Sequence, residues 1–167
     1  MLRTRFRCTR LPPMARDANG KPFFPTRPEI FFNLSHSGGF ALCGVGDSPI
    51  GVDIELVRPR RPGLARRVLA EEEQAQLARA EDPVRRLIAF WTLKESYGKC
   101  TGDGILGLPL RERVFSVGDS GAVSFCQPGY QFVLVEQEAF CAALCTDERE
   151  ETPKKLIQIP LDVEDQR

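Results

Sequence analysis

The sequence predicts an α+β fold in which one long helix packs on a mainly antiparallel sheet. Three observations lead there. Val84, Leu87, Ile88 and Trp91 recur at helical spacing within residues 84–99, a stretch closed by Gly102 and Gly104. Upstream, three strand-length runs at residues 29–34, 40–45 and 49–56 are separated by polar or Gly-containing segments. Downstream, short apolar runs at 114–117, 122–126, 131–135 and 139–146 are punctuated by Gly-Asp, Pro-Gly and Glu-Gln-Glu, and read as an antiparallel meander.

In chain order, residues 1–16 carry Arg3, Arg5, Arg7, Arg10 and Arg16 and no acid. This stretch reads either as a transit-like presequence or as the stub of a longer element. Asn19-Gly20 followed by Lys21-Pro22 marks a turn. Ile30, Phe31 and Phe32 form the heart of the first long strand, and residues 35–39 read as a polar loop leading to the second. Arg58, Arg60, Arg61, Arg66 and Arg67 lie in a stretch without an acid. They form either a solvated linker and helix start or a field that steers an acidic partner. Residues 64–80, rich in Ala, Leu, Arg, Glu and Gln, read as helix with a break near Ala70. From Thr146 onward acids exceed bases by seven to four with little periodicity, which predicts a solvated, partly disordered tail.

At 167 residues the chain is long enough for one domain or two small lobes sharing a core. A chain of this size buries roughly 70% of its unfolded surface and needs no staple. Lys plus Arg and Asp plus Glu both number 23, so the basic excess of a nucleic-acid binder is missing. No apolar run approaches the ~18 residues of a membrane span. The six cysteines contain no C-x-x-C pair and have one histidine for company, which argues against zinc. Cys43, Cys126, Cys141 and Cys145 sit in apolar runs and read as reduced, small hydrophobes of a cytoplasmic protein.

Three segments carry possible chemistry. In Gly51-Val52-Asp53-Ile54-Glu55-Leu56 the alternation sends Val52, Ile54 and Leu56 to the core and Asp53 and Glu55 to the other face. Paired carboxylates repel unless a cation separates them, and a hard ion such as Mg²⁺ takes oxygen ligands together with phosphate oxygens. A solvated strand face explains the same pattern. In the long helix the apolar line Leu87, Trp91 continues into Glu95 and Lys99, predicting a core-facing stripe that ends in charge. This is either an ordinary helical ion pair or a third acid for the same cation, with Lys94 or Lys99 left for phosphate. Asn33-Leu34-Ser35-His36-Ser37-Gly38 supplies hydroxyls and the single histidine, suited to phosphate or simply structural. No Gly-x-Ser-x-Gly elbow, P-loop or dinucleotide fingerprint occurs.

Taken in order, Gly20-Lys21-Pro22, Asn33-Leu34-Ser35-His36-Ser37, Gly51-Val52-Asp53-Ile54-Glu55 and Trp91-Thr92-Leu93-Lys94-Glu95-Ser96 with Lys99 resemble a 4′-phosphopantetheinyl transferase of the Sfp type, over about residues 17–125. The resemblance implies a pseudo-dimeric fold of two similar α+β halves with coenzyme A between them. It implies Mg²⁺-dependent transfer of the phosphopantetheine arm to a serine of an acyl, peptidyl or related carrier protein, releasing 3′,5′-ADP. Carried over by position, Asp53, Glu55 and Glu95 would hold the metal, and Ser35 and His36 the phosphates of the adenosine moiety. Lys21 would lie at the nucleotide and Lys99 at the diphosphate, with Lys94 beside it. Glu95 and Lys99 would be the catalytic pair, as base and as stabiliser of the leaving oxygen.

Only 19 residues precede Gly20, where members of this type carry several dozen. The expected organisation is therefore a remnant of the first half at 1–48, a second half with the metal motifs at 49–145 and a polar tail at 146–167. The shorter, trimeric holo-acyl-carrier-protein synthase type begins near the G-x-D motif and lacks the Asn-Leu-Ser-His segment. A non-catalytic remnant that binds coenzyme A or a carrier is the main alternative, and a Mg²⁺-dependent nuclease or phosphatase a third. Neither nucleic acid nor membrane is an expected partner.

Overall fold

The computed structural model describes residues 2, 6–104, 107, 109–118 and 121–147. Most of the expected tail, and Arg3 and Arg5, lie outside the described residues. Two short strands, β1 (Ala15–Arg16) and β2 (Pro22–Phe23), form a hairpin around the Asn19-Gly20 turn, where Gly20 adopts φ +81°. A longer hairpin follows, β3 (Phe31–Ser37) with β4 (Phe40–Gly46), and then β5 (Ile50–Leu56). Helices α1 (Leu64–Val68), α2 (Glu71–Arg79) and α3 (Pro83–Thr101) lead to a short 3-10 turn, Leu110–Glu112. Strands β6 (Phe115–Val117), β7 (Val123–Phe125), β8 (Tyr130–Glu136) and β9 (Phe140–Asp147) complete the chain.

The expected α+β class, with a long helix on antiparallel sheet, is what the chain adopts. The single meander is not. β6 and β7 pair only with each other, while β9 returns between β8 and β5 to make the sheet β5-β9-β8. β9 therefore takes in Thr146, which is 1% exposed, and Asp147, so the strand runs into the segment expected to be tail.

Helix α3 begins where the sequence places strong start signals. Asp82 accepts a hydrogen bond from the Arg85 N–H at 2.9 Å and Pro83 stands at the first turn. It ends at Gly102, left-handed at φ +87°. The helix lies on β5 and β9. Phe90, Leu93, Tyr97 and Cys100 meet Phe115, Val117, Ala143 and Cys145 in the main core, joined by Val68 and Leu69. The break expected near Ala70 falls at Leu69-Ala70, between α1 and α2. Of the cysteines expected as core filler, Cys141 and Cys145 are buried, whereas Cys43 and Cys126 are exposed.

The stripe Leu87, Trp91, Glu95, Lys99 meets expectation in part. Nearly every other residue from Ile88 to Cys100 is buried, and these four are only partly so. Leu87 and Trp91 pack against the main core, as expected, and Glu95 and Lys99 continue the line as the seam of α3 that stays partly open. No helix of the described residues is long and apolar enough to cross a membrane.

β3 continues through Ser35-His36-Ser37, which the sequence presents as loop. The reason is a side-chain ladder. β5 pairs with β9 along one edge, and on the other its N–H groups meet β3 side chains instead of carbonyls. Val52 N–H donates to Asn33 Oδ1 at 2.9 Å, Ile54 N–H to Ser35 Oγ at 3.3 Å and Leu56 N–H to Ser37 Oγ at 3.2 Å. Asn-x-Ser-x-Ser, at the strand period of two, satisfies buried donors that would otherwise be stranded.

Candidate active site

Gly51 sets the distance between β5 and α3. A Cβ there would stand 2.0 Å from the Ser96 carbonyl oxygen and 2.4 Å from the Cys100 nitrogen, so only hydrogen fits against the helix backbone. Gly51, Asp53 and Glu55 share one face of β5 by strand alternation, and that face looks onto α3 rather than onto solvent. Asp53 is 3% exposed, correcting the expectation of a carboxylate pair projecting away from the packed side.

Each acid is held by one serine and one base. Asp53 Oδ1 accepts from Ser35 Oγ at 2.8 Å and from Lys99 Nζ at 2.7 Å. Lys99 Nζ also lies 3.2 Å from Ser35 Oγ. Asp53 Oδ2 is buried without a hydrogen-bond partner. Glu55 Oε2 accepts from Ser37 Oγ at 2.9 Å and from Arg60 Nη2 at 2.6 Å. Glu95 enters the same field from α3. Burial, then the charges of Asp53 and Glu55 against the opposing pull of Lys99, push its carboxyl up to about 7. Burial also raises Asp53, and Lys99 and Ser35 act against that rise.

Lys21 approaches from the Gly-Lys-Pro turn, which Asp17 organises by accepting from the N–H groups of Asn19 and Lys21. Its ammonium donates to the Lys99 carbonyl at 2.6 Å, and Asn19 Nδ2 donates to the Gly102 carbonyl at 3.1 Å. The turn is thus pinned to the negative end of the α3 dipole, beside the charged seam. Burial holds the Lys21 pKa below its usual range.

The structure brings Ser35, Asp53, Glu55, Glu95 and Lys99 together and sets Lys21 at their edge. His36 stands apart. It is exposed, on the face of the β3–β4 hairpin opposite Ser35, in register with Ala41. Lys94 is elsewhere altogether. Its side chain is 0% exposed, paired with equally buried Glu73 at 2.9 Å, and it donates to the Leu110 and Arg113 carbonyls at 2.7 and 2.5 Å. Three partners match its three N–H donors, so the expected place for Lys94 beside the diphosphate is corrected to a latch inside the fold. Ser37 and Arg60 were not singled out for this cluster by sequence. The serine is visible in the period-two polar spacing from Asn33, whereas nothing distinguishes Arg60 within its run of arginines.

Among the described residues no three His, Cys, Asp or Glu side chains are grouped to hold a metal ion in this arrangement, in which Asp53 pairs with Lys99 and Glu55 with Arg60. The donor chemistry nevertheless fits a hard divalent cation. Three carboxylates share one field, and one of their oxygens, Asp53 Oδ2, is buried with no partner. A site of this kind, acids beside an ammonium on an open seam, suits a polyanion that arrives together with a cation.

Comparison with known proteins bears on the same segments. The model of the 4′-phosphopantetheinyl transferase superfamily matches residues 49–146. A 4′-phosphopantetheinyl transferase of Bacillus subtilis is 38% identical over 112 residues, covering 65% of this chain and 49% of that protein. The 4′-phosphopantetheinyl transferase psf-1 of Bacillus pumilus is 32% identical over 139 residues, covering 78% of this chain and 58% of that protein. The chain spans about half the length of these curated relatives. Among solved structures, holo-[acyl-carrier-protein] synthase from Neisseria meningitidis has a TM-score of 0.52 at 22% identity, over 60% of this chain and 97% of that one. Holo-(acyl-carrier-protein) synthase from Bacillus anthracis, solved in complex with CoA (3′,5′-ADP), has a TM-score of 0.52 at 18% identity, over 59% and 94%. These two likenesses show a shared fold.

Proposed function

We propose, from the premise that the chain belongs to the 4′-phosphopantetheinyl transferase superfamily, that it moves the 4′-phosphopantetheine arm of coenzyme A onto a serine of a carrier protein. The observation that carries this reading is the meeting of Asp53, Glu55 and Glu95 with Lys99 along the open seam of α3. In the reaction the serine oxygen bonds to the β-phosphorus of coenzyme A, the bond from that phosphorus to the bridging oxygen breaks, and 3′,5′-ADP leaves. The chain needs no nucleophile of its own. Phosphoryl transfer depends mainly on alignment and charge neutralisation, which charged side chains on a rigid seam supply.

Asp53, Glu55 and Glu95 would hold Mg²⁺, which when bound acts as a Lewis acid on the diphosphate. Lys99, paired with Asp53 in the resting protein, would turn to the diphosphate and neutralise charge on the departing oxygen. Glu95 is the group assigned to take the serine proton. Ser35 keeps Asp53 oriented while its neighbour His36 reaches the nucleotide from the outer face. Residues 1–48 serve as part of one half of the binding cleft and 49–145 as the other. All six cysteines are free thiols, which supports a cytoplasmic setting.

The test is a mass spectrum of an apo carrier protein incubated with this protein, coenzyme A and Mg²⁺. A gain equal to the phosphopantetheinyl arm is expected. Coenzyme A binding with no gain in carrier mass would contradict transfer and leave a binding module.

A further inference from the structure

The two acids of β5 are served by parallel constructions. Ser35 and Lys99 share Asp53 Oδ1, and Ser37 and Arg60 share Glu55 Oε2. Each serine also accepts the N–H of the residue after its acid, Ile54 or Leu56. Ser35 and Ser37 are thereby fixed by the fold. The bases are not: Lys99 and Arg60 each reach their acid at the end of a long side chain, and they remain 27% and 19% exposed. Arg60 also differs from its neighbours. Arg58, Arg61, Arg66 and Arg67 are exposed, while Arg60 is folded back onto Glu55.

Charge decides what such an arrangement can accept. Three carboxylates face two bases, and once Glu55 and Asp53 are given over to a divalent cation both bases lose their partners at the same rim. A diphosphate brings the negative charge they then require. A guanidinium is the better adapted of the two, since its planar fork matches two phosphate oxygens at once.

We propose that Arg60 is a phosphate-binding residue of the coenzyme A site: it occupies Glu55 in the resting protein and transfers its guanidinium to phosphate oxygens of the co-substrate when Glu55 takes up the divalent cation. This rests on the transferase reading, and it adds a residue that the resemblance does not assign.

The experiment compares the parent protein with Arg60→Gln and Arg60→Lys, each first shown to be folded by circular dichroism. Mn²⁺ binding without nucleotide is measured by electron paramagnetic resonance, and coenzyme A binding at saturating Mn²⁺ by calorimetry. Arg60→Gln removes a competing cation, so Mn²⁺ alone binds roughly three- to tenfold more tightly. With Mn²⁺ present, the same variant binds coenzyme A ~10-fold or more weakly, because a charge-assisted hydrogen bond is lost. Arg60→Lys, which keeps the charge and loses the fork, falls between. Opposite signs in the two titrations are the signature, since a residue that merely supports Glu55 would weaken both or neither. Mn²⁺ affinity that falls or stays level in Arg60→Gln, or coenzyme A affinity that is unchanged, overturns the assignment while leaving the transferase reading intact. A parent protein that binds no coenzyme A with Mn²⁺ overturns both.

Discussion

Replacing Lys94 by methionine separates a fold latch from a ligand contact. In the structure its ammonium is enclosed, with Glu73, the Leu110 carbonyl and the Arg113 carbonyl as partners and the Phe115 ring 5.7 Å away. Glu73 in turn accepts from the Ala70 N–H at 2.8 Å and the Phe115 N–H at 2.9 Å, so the pair ties α2, α3 and the start of β6 together. Methionine fills similar space but leaves the Glu73 carboxylate buried without its cation. Breaking a buried pair from one side costs about 3–5 kcal/mol. The two remaining N–H bonds to Glu73 put Lys94→Met near the lower end, about 3 kcal/mol. Glu73→Ala strands the ammonium and two N–H groups, each worth ~1–3 kcal/mol, and should approach the whole stability of the domain. In Glu73→Gln/Lys94→Met no buried charge remains, so the double variant should be more stable than the sum of the singles by at least ~2 kcal/mol. Urea denaturation measures all three, and calorimetry on folded protein measures coenzyme A binding, which should stay within about twofold of the parent. A Lys94→Met protein of parental stability with lost coenzyme A affinity would rule out the latch and return Lys94 to the cleft.

Three further outcomes follow from the same geometry. Gly51→Ala should push α3 off β5, because its Cβ would meet helix backbone at 2.0 Å; a loss of ~3 kcal/mol, seen as a fall in Tm of at least ~6 °C, is expected, and an unchanged Tm would contradict the close approach. Asn33→Ala should strand the buried Val52 N–H at a cost of ~1–3 kcal/mol and speed hydrogen exchange at that amide, whereas unaltered protection would mean that β3 does not supply its acceptor. His36→Ala, on an exposed strand face, should leave stability within ~0.5 kcal/mol and raise KM for coenzyme A more than KM for the carrier; equal effects on both would make His36 ordinary surface.

The parts of this arrangement visible in sequence are those that depend on local period. Alternation in β5 put Asp53 and Glu55 on one face, helical spacing put Glu95 and Lys99 on one line, and Gly102 marked the end of α3. Which side of each element is covered is a tertiary property. The Leu87, Trp91 line is apolar and packs against the core, but its continuation at Glu95 and Lys99 stays partly open while the rest of α3 from Ile88 to Cys100 is buried. Ser35-His36-Ser37 looked like loop because hydroxyls and glycine favour turns, whereas the free edge of β5 turns the serines into ladder acceptors. Lys94 and Glu95 are adjacent in sequence and both charged, yet one is sealed in by Glu73, twenty-one positions upstream, and the other faces the seam. The meander failed for a similar reason, since β9 has in β5 a partner far away in the chain.

In the proposed site Asp53, Glu55 and Glu95 jointly hold a divalent ion while Lys99 turns to the diphosphate of coenzyme A. A crystal grown with coenzyme A and Mn²⁺ tests it directly through the anomalous signal of the ion. One peak ligated by all three carboxylates is expected, with Lys99 Nζ moved from Asp53 Oδ1 to a phosphate oxygen. Coenzyme A bound away from the α3 seam, or bound there with Lys99 still on Asp53 and no anomalous peak among the acids, would contradict it.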